Sequence, residues 1–161
     1  MNTKLISFVA ISLWLVTALG GGLYLFRDRT LVSSDQRREI LLTETERNLV
    51  LAEMRGIIGS LDGVLQGITK NDRKQMEESA RASGMVMASE DNAGLVAKLP
   101  MEFKQMGFGL HHEFDSLADA VKAGESQQLL LERTAKLTSR CNGCHQVYRL
   151  GVEGRAGKIN P

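Results

Sequence analysis

The chain has 161 residues, with 20 Lys or Arg against 19 Asp or Glu, a formal net charge of +1 at neutral pH. No basic stripe is concentrated enough to suggest nucleic acid as a partner. The only two cysteines are two residues apart, so a bridge between them would close a very small loop and staple little.

The first predicted element is apolar. Leu5 to Phe26 runs as "LISFVAISLWLVTALGGGLYLF" without a charge, preceded by Lys4 and followed by Arg27-Asp28-Arg29. This is long enough to cross a bilayer as a helix, so residues 1–26 are expected to be a membrane anchor. A cleaved signal peptide is the alternative, with Ala18-Leu19-Gly20 as its small-x-small site. Apolarity resumes at Leu23-Tyr24-Leu25-Phe26, which favours the anchor. Either reading sends the remainder toward export. That remainder, residues 27–161, carries 19 basic and 19 acidic residues.

Residues 27–44 are expected to be a stalk or linker, with helical character over 33–44 and a cap at Ser33-x-x-Gln36. Thr43-x-x-Glu46 has the form of a capping box. Behind it, Val50, Met54, Ile57, Leu61, Val64 and Ile68 are spaced 4, 3, 4, 3, 4, the period of a helix packed against others. Gly56, Ser60, Gly63 and Gly67 form a parallel stripe of small residues, which suits close approach of another backbone. A second helix is predicted from Asp72, with Gln75 in its third position, to about Ala88. Ser89 to Leu99 reads as the one long loop, and Pro100 opens a third helix. Phe103, Met106, Leu110, Phe114, Leu117 and Val121 line that helix, which Gly124 ends. The fourth carries Leu130, Thr134, Leu137, Cys141, Cys144 and Tyr148 at the same spacing. The expected fold is therefore all-α: an antiparallel four-helix bundle over 45–150 with a loose, Gly-rich tail over 151–161.

The cysteines lie in "CNGCHQVYR", Cys141 to Arg149. Three chemistries compete for such a motif. Structural zinc needs four ligands, and two cysteines with an adjacent histidine leave the set incomplete unless His111 or His112 is recruited. A redox dithiol expects a βαβ context that the pattern does not show. Covalent haem attachment is the third, and Cys-x-x-Cys-His is its recognised pattern. In that chemistry Cys141 and Cys144 each form a thioether, and His145 can reach the iron as proximal ligand.

A Cys-x-x-Cys-His near the end of a last bundle helix, followed by aromatic-Arg, resembles the class II c-type cytochromes, which include cytochrome c-prime and cytochrome c556. The resemblance covers about residues 45–150, and "EMRGIIGSLDGVLQGITKND" is similar to the family's first helix and turn. It implies one haem c, with Tyr148 packed beside it and Arg149 near the proximal histidine or a propionate. For Arg149 the residues alone also allow plain neutralisation of a helix C-terminus. It further implies that Met54 supplies the sixth iron ligand if the protein follows the electron-carrying branch. His111 is the second candidate for that position. A methionine on an apolar seam can equally be core filling. Met85, Met87, Met101 and Met106 read as packing or loop residues.

These features together predict a one-electron carrier on the periplasmic side of a bacterial inner membrane, serving membrane-associated redox partners and catalysing nothing itself. A soluble periplasmic form would follow from signal cleavage. Two alternatives stand beside it. One is a five-coordinate, gas-binding protein of the cytochrome c-prime kind. The other is a membrane-tethered interaction module with structural haem or zinc, in which the small-residue stripe mediates a homodimer.

Overall fold

In the computed structural model, residues 3–26, 30–89 and 93–154 are described. Among them the chain is mostly helical, with one small sheet. The helices are α1 (Thr3–Phe26), α2 (Glu44–Lys70), α3 (Arg73–Ala82), α4 (Met85–Ser89), α5 (Ala93–Lys98), α6 (Met101–Lys122) and α7 (Gln127–Val147). The strands are β1 (Thr30–Val32), β2 (Arg38–Leu42) and β3 (Tyr148–Val152).

Helix α1 contains an apolar window, Ile6–Leu23, of mean hydropathy 1.9 and with no residue buried. By length and composition it can cross a membrane or serve as a signal sequence.

Local signals set the helix ends. Thr43 caps α2, its hydroxyl accepting from the Glu46 amide while the Glu46 carboxylate accepts from the Thr43 amide at 2.9 Å. Burial works to raise the Glu46 pKa, but hydrogen bonds from Lys98 and Thr43 outweigh it and hold the carboxyl below its ordinary value. Asn71, in the left-handed region at φ 54°, turns the chain out of α2, and Asp72 caps α3 through the Gln75 amide at 3.0 Å. Gly124, at φ +83°, ends α6.

Helix α2 packs against α3 and α7, and α6 packs against α3 and α7. Their shared core holds Ile57, Val64, Met76, Phe114, Leu117, Leu130 and Leu137. The small-residue stripe of α2 faces inward. Ser60 accepts a hydrogen bond from Ser83 at 2.8 Å, and Gly67 lies directly under Met76. The stripe is thus a helix contact within the chain.

Four expectations are corrected. The second predicted helix does not run unbroken to Ala88; it stops at Ala82, and α4 follows as a separate element. The reason is Asp115 of α6, whose carboxylate accepts from the Met85 amide at 2.9 Å and presses on the bare Cα of Gly84. The predicted long loop contains α5, held by burial of Leu95 and by Lys98 on Glu46 at 2.8 Å. Residues 90–92 of that loop lie outside the described residues.

The stalk is the third correction, and with it the all-α expectation. Ser33–Gln36 forms a turn, not a helix cap: the Ser33 amide donates to Arg37 O and the Gln36 amide to Ser33 O, each at 2.9 Å. The Arg37 guanidinium, bonded to Asp35 at 2.6 and 2.9 Å, closes the turn and holds the Asp35 carboxyl far below its usual range. β1 and β2 are the arms of this antiparallel hairpin, and β2 pairs in parallel with β3 from Arg38↔Tyr148 to Leu42↔Val152. Residues 27–29 of the expected stalk lie outside the described residues.

The fourth concerns the chain end. Tyr148 and Arg149 are not helical; α7 stops at Val147 and β3 takes both. Gly151 and Val152 belong to this strand, although a loose tail was expected there, and residues 155–161 lie outside the described residues. Ile40, Leu42 and Tyr148 point inward from the sheet, where they pack with Val50, Leu95 and Phe103.

Stability measurements on two glycines of α2 test this packing. A Cβ at Gly67 would stand 2.6 Å from Met76 Cγ and 2.9 Å from the Met76 amide nitrogen, so Gly67→Ala should destabilise by about 1–3 kcal/mol. Gly59 has nothing within 4 Å, so Gly59→Ala should stabilise by about 0.5–1 kcal/mol. Urea unfolding followed by circular dichroism reads both.

Candidate cofactor cleft

A cleft of about 1020 Å³ opens between α2, α6 and α7. Its α7 wall carries Cys141, Cys144 and His145; its α2 wall carries Val50, Met54, Ile57 and Ile58. The helical period accounts for both walls. Cys141 and Cys144 sit one turn apart, and Val50, Met54 and Ile57 follow the 4, 3 spacing that directs α2 toward its neighbours. The third wall belongs to α6, where Gly107 and Gly109 leave bare backbone with open space where a Cβ would stand.

The cysteines are half-buried and not disulfide-bonded. Burial raises the pKa of both thiols, and for Cys144 the neighbouring Cys141 adds to the rise. His145 lines the cleft from the last turn of α7 and is itself exposed. Its backbone carbonyl accepts from Arg37 at 3.1 Å, which places a cation at the helix C-terminus, where the dipole favours it. Met54 is half-buried and packs with Cys144 against the cluster beneath the sheet.

His111 also lines the cleft, at 4% exposure, but both ring nitrogens have partners. Nδ1 lies 2.8 Å from Ser83 O and Nε2 lies 3.0 Å from Glu53 Oε1. A carbonyl only accepts, so Nδ1 carries a proton, and the contact with the carboxylate requires another between Nε2 and Oε1. His111 is thereby fixed to the wall between α2 and α6.

Tyr148 and Arg149 stand outside the lining, on opposite faces of β3. Tyr148 is buried and meets Phe103, a residue of the cleft wall, edge-on with ring centroids 5.4 Å apart. Its hydroxyl donates to Glu102 at 3.0 Å and accepts from Arg38 at 3.2 Å. Burial, followed by the Glu102 contact, pushes the phenol above its ordinary pKa. Arg149 pairs with Glu39 at 3.3 Å and Asp35 at 3.8 Å on the outer face of the sheet. Arg149 thus lies on the strand that follows α7, held by carboxylates of the hairpin, one of which also binds the Arg37 that reaches the His145 carbonyl.

Sequence reasoning missed Glu53, Glu113 and Arg140. Arg140, next to Cys141, bonds Glu113 Oε1 at 2.9 Å on the cleft rim. The other carboxylate oxygen, Oε2, is buried without a hydrogen-bond partner. An i, i+3 or i+4 count from the motif across to α6 could not find these contacts, which join different helices.

The residues present fit a large, flat, covalently attached group. Two thiols one turn apart, a following histidine, a thioether on the facing helix and a glycine-lined third wall border a single cleft. Zinc is less well served: no cluster of three or more His, Cys, Asp or Glu suited to a metal ion occurs among the described residues. The chain matches no protein-family model, no curated protein and no solved structure.

Alkylation kinetics test the thiol environment. The thiolate is the reacting form, so raised pKa values should slow iodoacetamide at pH 8 several-fold relative to the urea-unfolded chain. In cofactor-free folded protein the midpoint of the rate's rise with pH should lie above that of the urea-unfolded chain. Peptide mapping should find Cys144 reacting no faster than Cys141.

Proposed function

We propose that this chain is a membrane-tethered c-type cytochrome of the class II kind, carrying one covalent haem and relaying single electrons on the periplasmic side of a bacterial membrane. The observation that carries this reading is the convergence of Cys141, Cys144, His145 and Met54, from helices distant in sequence, on one cleft. The packing of α2 with α3 and α7, and of α6 with the same two, is what a four-helix bundle would require.

Haem, when bound, would supply an iron that gains and loses one electron. The chain's own residues do the rest. Cys141 and Cys144 would hold the group through thioethers, and His145 would ligate from the proximal side. Met54 is the residue for the sixth position, since it lines the α2 wall and lacks the polar anchoring of His111. Val50, Ile57 and Phe103 line the same cleft and would make the wall around it apolar. With Met54 and His145 as its ligands the iron would favour the ferrous state and have a higher potential than with two histidines. Anchoring by α1 would keep the carrier near membrane-bound donors and acceptors and raise their effective concentration.

Co-expression with a cytochrome c maturation system tests the reading. Covalent haem should be detected after denaturing electrophoresis and lost almost completely in the Cys141→Ala, Cys144→Ala double variant. The ferrous spectrum should be low-spin and become high-spin, with rapid CO binding, in Met54→Ala. A high-spin, CO-binding spectrum in the unmodified protein would favour the gas-binding alternative. No covalent haem at all would overturn the assignment.

A further inference from the structure

We infer that the three-stranded sheet seats on the lipid–water interface and fixes the Cys141–His145 end of α7 at the membrane surface. The inference rests on the reading of α1 as a retained anchor and is independent of which cofactor fills the cleft.

Chain length gives the first argument. Only residues 27–29 separate the end of α1 at Phe26 from the start of β1 at Thr30. Four Cα–Cα steps of 3.8 Å span at most about 15 Å. The headgroup layer on each side of the hydrocarbon core is itself about 5–8 Å thick. With Phe26 at the edge of the hydrocarbon, β1 cannot leave the neighbourhood of the interface.

Surface chemistry gives the second. β1 is an edge strand, and it exposes two apolar side chains, Leu31 at 46% and Val32 at 80%. An apolar edge in water is a liability, whereas an interface accepts it. The charges on the sheet's outer side are compensated: Arg37 by Asp35 and Arg149 by Glu39. The occupant of this edge is therefore the bilayer that holds α1.

Topology gives the third. β1 pairs with β2 and β2 with β3, so the strand that follows α7 lies two strand spacings, about 10 Å, from the strand that follows the anchor. β3 begins at Tyr148, the residue after the end of α7, and Arg37 of the hairpin turn bonds the His145 carbonyl. The sheet thus ties the Cys141–His145 end of α7 to the strand that follows the anchor. A partner must approach the cleft along the membrane surface, which selects partners embedded in or lying on the same leaflet.

Spin-label depth measurements on the full chain in phosphatidylethanolamine–phosphatidylglycerol vesicles test this. A ketone-bearing residue introduced at position 14, 32 or 129 takes a nitroxide by oxime chemistry that ignores the native cysteines. Trp14 lies in α1, Val32 in β1, and Leu129 is exposed near the start of α7, the helix end remote from the sheet. The expected collision ratios with oxygen and a water-soluble nickel complex report position 14 in hydrocarbon, 32 at the interface and 129 in water. A label at 32 as accessible to nickel as one at 129, with 14 in hydrocarbon, overturns the inference and leaves the anchor standing. A label at 14 in water overturns both. Inserting ten Gly/Ser residues after Arg29 should leave position 32 at the interface, because the sheet's own surface holds it there; a shift of position 32 to the aqueous value with position 14 still in hydrocarbon would overturn the seat and leave only the tether.

Discussion

Backbone pairing of Arg38–Leu42 with Tyr148–Val152 is the constraint on which the cleft depends. It joins the residues just before α2 to those just after α7, so the two helices that carry Met54 and the Cys141–His145 motif start and end at one sheet. Closing so long a loop costs entropy that grows only slowly with length. Burial of Ile40, Leu42 and Tyr148 opposes that cost, at about 1.5–3 kcal/mol for each large apolar side chain. The Glu39 side chain packs across Gly151 and would have to shift if a Cβ stood there.

The walls of the cleft differ in kind, and the difference follows from which helix supplies each. α2 gives an apolar floor because its core seam continues into the opening at Val50, Met54 and Ile57. α6 gives open backbone at Gly107 and Gly109, then a polar border where Glu53 and Ser83 hold His111. α7 brings the motif and, at the rim, the Arg140–Glu113 pair. An apolar floor with a charged rim suits a group that is flat and mostly apolar but has polar edges. That is the physical case for the proposed cofactor, alongside the motif.

Much of the helical architecture is legible in the chain. The capping box at Thr43, the Asp72 cap, Pro100 before α6 and Gly124 after it are local signals, each satisfied within a turn of where it is written. The sheet was not legible by the same means. Ile40 and Leu42, and Tyr148, Leu150 and Val152, alternate as strands do, but each run is only five residues long. Short runs do not separate strand from helix when read alone. The partner that makes them strands lies more than a hundred residues away. Asp115 breaking the second helix at Gly84 is another long-range effect, invisible to any window along the sequence.

By itself the sequence determined the long helical segments and most of their inward faces, the apolar N-terminal segment and the Cys-x-x-Cys-His motif, because periodicity and caps act between residues a few positions apart. Only the tertiary structure decided that Met54 and the motif share a cleft, that His111 is tied to Glu53 and Ser83, and that Arg149 pairs with Glu39. Each of those outcomes depends on how separate elements pack. Helical spacing fixes which side a residue faces, and packing alone fixes what it meets there.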